Sequence, residues 1–187
     1  MYEGLDTVVL YEELAYEDLL PAVWKPLPDE VDRVFVASCN ERNQKLLLAA
    51  AALEEHGQPE KQDEHAPHHA DIVRLDMKIN LLLELVGQLY AANQTRPAPI
   101  AVRFNARGAA WKQTEPLPTI GTNGVLEIYL SECVVEPLRL IGRVANVADG
   151  KVRAKFINPG DAVSNLIEKL AFRRHRRQVA GVRNPKR

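Results

Sequence analysis

LRLIGRVANVADGKVRAKFI, residues 138–157, is the stretch on which the fold turns. Two β-rich runs, Leu138–Val147 and Lys151–Ile157, flank Asp149-Gly150, and an Asp-Gly pair between two such runs is a strong short-range hairpin signal. Working back toward the middle of the chain, GVLEIYLS (124–131), GAAWKQ (108–113) and IAVRF (100–104) are further short β-rich runs, punctuated by Gly121 and by Thr122-Asn123-Gly124. Working forward, NPGDAVSNLIEKLAFRRHRR (158–177) closes the pattern with a helix. Asp161 or Ser164 is placed to cap it, and Val163, Leu166, Ile167 and Leu170 form its apolar stripe. Strands followed by one terminal helix predict a small antiparallel barrel or sandwich plugged by that helix.

Upstream the period changes. TVVLYEEL (7–14) reads as a strand, and the three prolines of PAVWKPLP (21–28) exclude regular helix there. VDRVFVAS (31–38) alternates Val31, Val34 and Val36 with polar neighbours, as a second strand does. Residues 40–94 are helical in pattern. ERNQKLLLAAAALEEH (41–56) is rich in strong helix formers and stops at Gly57 and Pro59. HHADIVRLDMKINLLLELVGQLYAANQ (68–94) opens just after Pro67 and halts before Pro97. With Ile72, Ile79 and Val86 at heptad position a, Leu75, Leu82 and Leu89 fall at d, giving three consecutive apolar layers. Leu83 and Tyr90 at e and Leu85 at g widen the stripe beyond what one helix of a small domain buries. Self-association follows, with apolar e and g positions favouring a tetramer over a dimer. The chain thus divides at 1–38, 39–95 and 96–187.

The chain has 187 residues, 46% of them hydrophobic and 26% charged, with a formal net charge of −1, the composition of an ordinary globular protein. The charge is polarised. Residues 1–32 hold nine acids and one base, Lys25, whereas residues 173–187 hold seven bases, His175 and no acid. The RRHRR run reads first as the solvated end of the last helix, where cations complement the helix dipole. Its other reading is a polyanion contact. Cys39 and Cys133 have no CxxC spacing, which fits a reducing compartment, and no signal peptide or membrane span is evident. A cytoplasmic protein is expected. His56, His65, His68 and His69 lack metal-ligand spacing, so no metal site is expected. Ser38, Ser131 and Ser164 sit in no GxSxG context and Cys39 has no neighbouring His, so no catalytic residue is assigned. Trp24 and Trp111 read as barrel core or rim.

The runs IAVRFNARGAAW, VLEIYL, LRLIGRVANVADGKVRAKFI and NLIEKLAFRRHRR together resemble the PilZ domain, in its atypical branch whose barrel is interrupted by helices. The resemblance covers about half of the chain directly, with residues 1–38 completing the barrel and residues 39–95 splitting it. It implies an α+β protein, a small antiparallel β-barrel of PilZ type closed by a C-terminal helix, and a receptor for the bacterial second messenger cyclic di-GMP. The family's ligand motif is an RxxxR segment followed by [DN]xSxxG. Here the second motif falls on RFNARG, with Arg103 at the Asp/Asn position, Asn105 at the Ser position and Gly108 matching; Arg107 adds a charge to the turn. No RxxxR precedes it, and Arg173 with Arg177 has that spacing on the wrong side of the barrel sequence. Paired arginines are natural phosphate and guanine ligands, so their loss weakens dinucleotide binding.

The leading expectation is therefore a non-enzymatic, oligomeric signalling adaptor without a cofactor. It binds cyclic di-GMP weakly or not at all through Arg103, Asn105, Arg107 and Gly108, and acts through an unidentified protein partner. The alternatives are a true cyclic di-GMP receptor and a nucleic-acid-binding protein using the basic tail.

Overall fold

The computed structural model describes residues 14–55, 69–92, 95–131 and 136–183. Asp149 and Gly150 both take positive φ, 52° and 69°, the type I′ geometry that an Asp-Gly pair supplies. They join β5 (Leu138–Ala148) to β6 (Lys151–Phe156), which pair antiparallel from Gly142↔Phe156 to Ala148↔Lys151. β1 (Tyr16–Pro26), β2 (Pro99–Phe104), β3 (Gly108–Lys112) and β4 (Asn123–Ile128) complete a closed antiparallel barrel in the order β1-β2-β3-β6-β5-β4.

β1 closes the ring by changing partner. Its first half, Tyr16 to Pro21, pairs with β2, and its second half, Ala22 to Pro26, pairs with β4. Pro21 sits at the switch. It has no N–H to give a ladder, and its carbonyl accepts the Tyr129 N–H at 2.9 Å. The proline-rich segment that excludes helix is thus a barrel strand, while TVVLYEEL lies, except for Leu14, outside the described residues.

VDRVFVAS corrects the strand reading. It opens a helix, α1 (Arg33–Glu55), whose start is capped by Asp32: the Val34 N–H donates to Asp32 Oδ1 at 3.0 Å. Val34 is 73% exposed, so the alternating valines do not mark a buried face. The face that wins has helical spacing: Val36, Cys39, Leu46, Leu47 and Ala50 pack into the core clusters, and Asn43, 1% exposed, bonds to β5 between them. α2 (His69–Ala92) contains the heptads, and α3 (Asp161–Arg183) follows β6.

The barrel interior is filled by alternate residues of each strand, among them Val102 and Phe104, Leu126 and Ile128, Leu138 and Leu140, all at most 1% exposed. Trp24 and Trp111 stack inside with ring centroids 5.3 Å apart. α3 plugs the end with Val163, Ile167, Leu170 and Ala171, as its stripe predicts, and Leu46, Leu47 and Ala50 of α1 join the same core.

Candidate functional site

The β2–β3 turn holds the four candidate ligand residues together, and most of its polar atoms are occupied in holding its own shape. Asn105 is 2% exposed. Its N–H donates to the Gly108 carbonyl at 3.0 Å, and its Oδ1 accepts the N–H groups of Arg107 at 2.9 Å and Gly108 at 3.1 Å. This is the backbone-mimicking use of asparagine in a turn. The Arg107 carbonyl accepts the Phe156 N–H of β6 at 2.8 Å. Gly108 has no room for a side chain, since a Cβ there would strike the Ala154 carbonyl oxygen. Arg103 lies between the inward-facing Val102 and Phe104, so it faces outward, opposite Glu17 on β1 and Ala110 on β3. Arg107 is exposed at the tip. A guanidinium pair therefore flanks a turn whose asparagine oxygen already accepts two backbone donors.

Beside this turn an open groove of about 560 Å³ runs between it and α3, lined by Leu14, Asn105, Ala106, Asn165, Glu168, Lys169 and Phe172. The α3 side of the groove carried no signal in the sequence beyond being the polar face of a helix. Phe172 is the exception, an aromatic off the buried stripe and 53% exposed.

The RRHRR run is partly tied into the fold. Arg173 Nη1 donates to the Ala51 carbonyl in the last part of α1 at 3.4 Å. Arg174 pairs with Asp18 of β1 and lies over the Tyr16 ring, 5.7 Å from its centroid. Two of the bases read as solvated thus tie α3 to α1 and to the barrel wall.

A second polar cluster, not visible in the sequence, joins α1 to the wall. Glu127, 7% exposed, accepts from Lys25 Nζ at 2.7 Å and from Arg139 Nε at 3.2 Å. Cys39 lies nearby, 4% exposed, and burial pushes its thiol above the ordinary cysteine value despite the guanidinium groups of Arg139 and Arg42. A protonated buried thiol is a poor nucleophile. Cys133, His56, His65 and His68 lie outside the described residues, and the described residues contain no group of three or more metal-ligating side chains.

α2 presents a different kind of surface. Ile72, Leu75, Ile79, Leu82, Val86 and Leu89 are all between 53% and 67% exposed, and Leu83 and Leu85 are exposed beside them. Among the described residues no strand or helix packs extensively against α2. Nor is any described helix long and apolar enough to cross a membrane.

Comparison with known proteins places the fold in a family. No curated protein matches the chain. A crystal structure of a pathogenic protein from Xanthomonas campestris, described as a new tetrameric PilZ domain self-assembled via an unusual helical bundle, is similar at a TM-score of 0.72. The two are 26% identical, over 94% of this chain and 95% of that one. Residues 47–184 match the family model of the atypical PilZ domain, a cyclic di-GMP receptor domain rather than a catalytic one. A closed six-stranded antiparallel barrel, split between β1 and β2 by two long helices and plugged by a third, places this chain in the atypical PilZ family.

Proposed function

We propose that this protein is a cytoplasmic, non-enzymatic adaptor of cyclic di-GMP signalling that assembles into a tetramer through α2, binds the dinucleotide weakly or not at all, and acts through a protein partner. The observation that carries the reading is the exposure of all six a and d residues of α2, each more than half exposed in the single chain. A helix that leaves three apolar layers in water has its partner elsewhere, and a second copy supplies matching layers by symmetry. The tetrameric assembly described for the similar Xanthomonas protein supports the same stoichiometry.

The ligand half of the proposal rests on the β2–β3 turn. Asn105 holds the position of the motif serine with its oxygen turned onto the Arg107 and Gly108 N–H groups, and an arginine stands where the family has Asp or Asn. Light scattering on the intact chain and on the L75N/L82N/L89N variant tests the assembly, since three buried amides per helix would lack partners. A tetramer that falls to a smaller species is expected. An unchanged mass would refute assembly through this face. Calorimetric titration with cyclic di-GMP separates the adaptor from a true receptor, and a salt-dependent gel shift separates both from a nucleic-acid-binding protein.

A further inference from the structure

At the end of the barrel opposite the β2–β3 turn, two lysines stand face to face. Lys112, the last residue of β3, is registered directly opposite Lys151, the first of β6. Both are exposed, and among the described residues neither ammonium group has a hydrogen-bond or ion-pair partner. Like charges at directly opposed positions destabilise a sheet, and one carboxylate shared between them turns the repulsion into two charge-assisted contacts. Two exposed acids, Glu115 of the β3–β4 loop and Asp149 of the β5–β6 turn, share this end of the barrel without pairing to either lysine.

The loop that follows Lys112 brings apolar side chains to the same end and is held at both of its own ends. The Gln113 N–H donates to the Gly150 carbonyl at 2.9 Å, Gln113 Oε1 accepts the Trp111 Nε1–H at 3.0 Å, and Gln113 Nε2 donates to the Pro116 carbonyl at 2.6 Å. At the far end the Gly121 N–H donates to the Val144 carbonyl, and Arg143 Nε donates to the Gly121 carbonyl, both at 2.8 Å. Between these anchors Leu117 and Ile120 are exposed. A loop already fixed in shape loses little freedom when a partner packs on it. Glu115 and Asp149 repel a uniform polyanion, and aliphatic side chains give a nucleic-acid base nothing to stack on, so the chemistry of this end favours a protein. We propose that Lys112 and Lys151 together clamp a single carboxylate of a protein partner, whose neighbouring aliphatic side chains pack on Leu117 and Ile120. The proposal rests on the reading that this chain acts through a protein partner, and names the surface and the chemistry by which it does so.

A displayed library of random peptides, selected on the intact chain, supplies the probe. Enriched peptides are expected to carry Asp or Glu beside Leu, Ile or Val. The affinity of a synthetic copy of the most enriched peptide, read by fluorescence anisotropy, should fall about tenfold in K112Q/K151Q and about tenfold in L117S/I120S. Enrichment without an acid, or an affinity unchanged in either variant, would overturn the proposal. K112Q alone removes a repulsion, so it should keep or raise the thermal midpoint while weakening the peptide. Weakened binding with a lowered midpoint would show that the lysine only supports the sheet, and would also overturn it. A lower mass of L117S/I120S by light scattering would give the face to a second copy, and displacement of the peptide by duplex DNA at about 0.15 M salt would give it to a nucleic acid; either result refutes the proposal. A failed selection refutes this surface and leaves an adaptor acting through another face. Tight cyclic di-GMP binding refutes the adaptor reading and leaves these peptide affinities unmoved.

Discussion

Asn43 of α1 and Arg139 of β5 exchange two hydrogen bonds: Asn43 Nδ2 donates to the Arg139 carbonyl at 2.7 Å, and the Arg139 N–H donates to Asn43 Oδ1 at 2.9 Å. β5 pairs with β6 only from Gly142 onward, so its first residues have no strand on that side. A side-chain amide stands in for the missing strand. Asn43→Leu keeps the volume and removes both partners, leaving a buried backbone donor and acceptor unsatisfied. A loss of about 2–4 kcal/mol is expected, read as a shift of the urea midpoint at unchanged slope. A shift under about 0.5 kcal/mol would show that water replaces the amide at no cost.

The α2 face predicts separable assembly and folding. L75N/L82N/L89N should lower the mass measured by light scattering, while the stacked pair Trp24 and Trp111 keeps the near-ultraviolet dichroism of the barrel. Loss of both signals together would show that the barrel depends on the assembly.

Cyclic di-GMP is expected to bind no tighter than roughly 10 μM, a net free energy of about −7 kcal/mol. Calorimetry on the intact chain reads this, and submicromolar affinity would contradict the reading of the Asn105 turn.

The end of α3 divides at the residues the fold uses. Deleting residues 178–187 should leave mass and thermal midpoint nearly unchanged, whereas replacing Leu166, Ile167 and Leu170 should unfold the barrel by removing its plug. Any nucleic-acid shift should vanish near about 0.15 M salt and ignore sequence. Persistence at about 0.2 M with a preferred sequence would reverse the assignment.

Cys39 should react slowly with a disulfide reagent in the native C133S protein and quickly after unfolding, because burial disfavours its thiolate. The folded thiol titrates above the ordinary value of 9.0, so the unfolded chain loses its proton first. Its contribution to stability is complete below that value and declines as pH rises through it. The difference between the denaturant midpoints of C133S and C39A/C133S should narrow as pH rises above it.

Legibility in the sequence followed locality. The Asp149-Gly150 hairpin, the α3 stripe and the helix over the α2 heptads each need only neighbours in the chain, and each of these elements stands in the structure as its pattern implies. The Val31, Val34 and Val36 alternation misled because a period of two over three valines is short. The cap at Asp32 and the longer helical spacing down to Ala50 outweigh it. β1 was obscured by its prolines: Pro21 falls where the strand changes partner and Pro26 at its end, positions fixed by topology that neither residue announces. The Glu127 cluster and the Arg174–Asp18 pair join residues far apart in the chain, so no local pattern encodes them.

The splitting of the barrel between β1 and β2 also shapes how the molecule is made. β1 ends at Pro26 and its hydrogen-bonded neighbour begins at Pro99, with both long helices between them. The four ladders of β2-β3-β6-β5-β4 form among residues 99–156, the widest of them closing from Lys112 to Lys151, whereas the β1–β2 ladder must close from Pro21 to Pro99 across both long helices. Folding should therefore end with the insertion of β1, and until then β2 and β4 present open edges. At high protein concentration those edges will accept β1 from a neighbouring chain as readily as their own, so refolding yield should fall with concentration and exchanged dimers should accumulate. In the proposed assembly, chains gathered by α2 raise that local concentration further, and rapid dilution of the L75N/L82N/L89N variant should then return more correctly closed barrels than dilution of the native sequence.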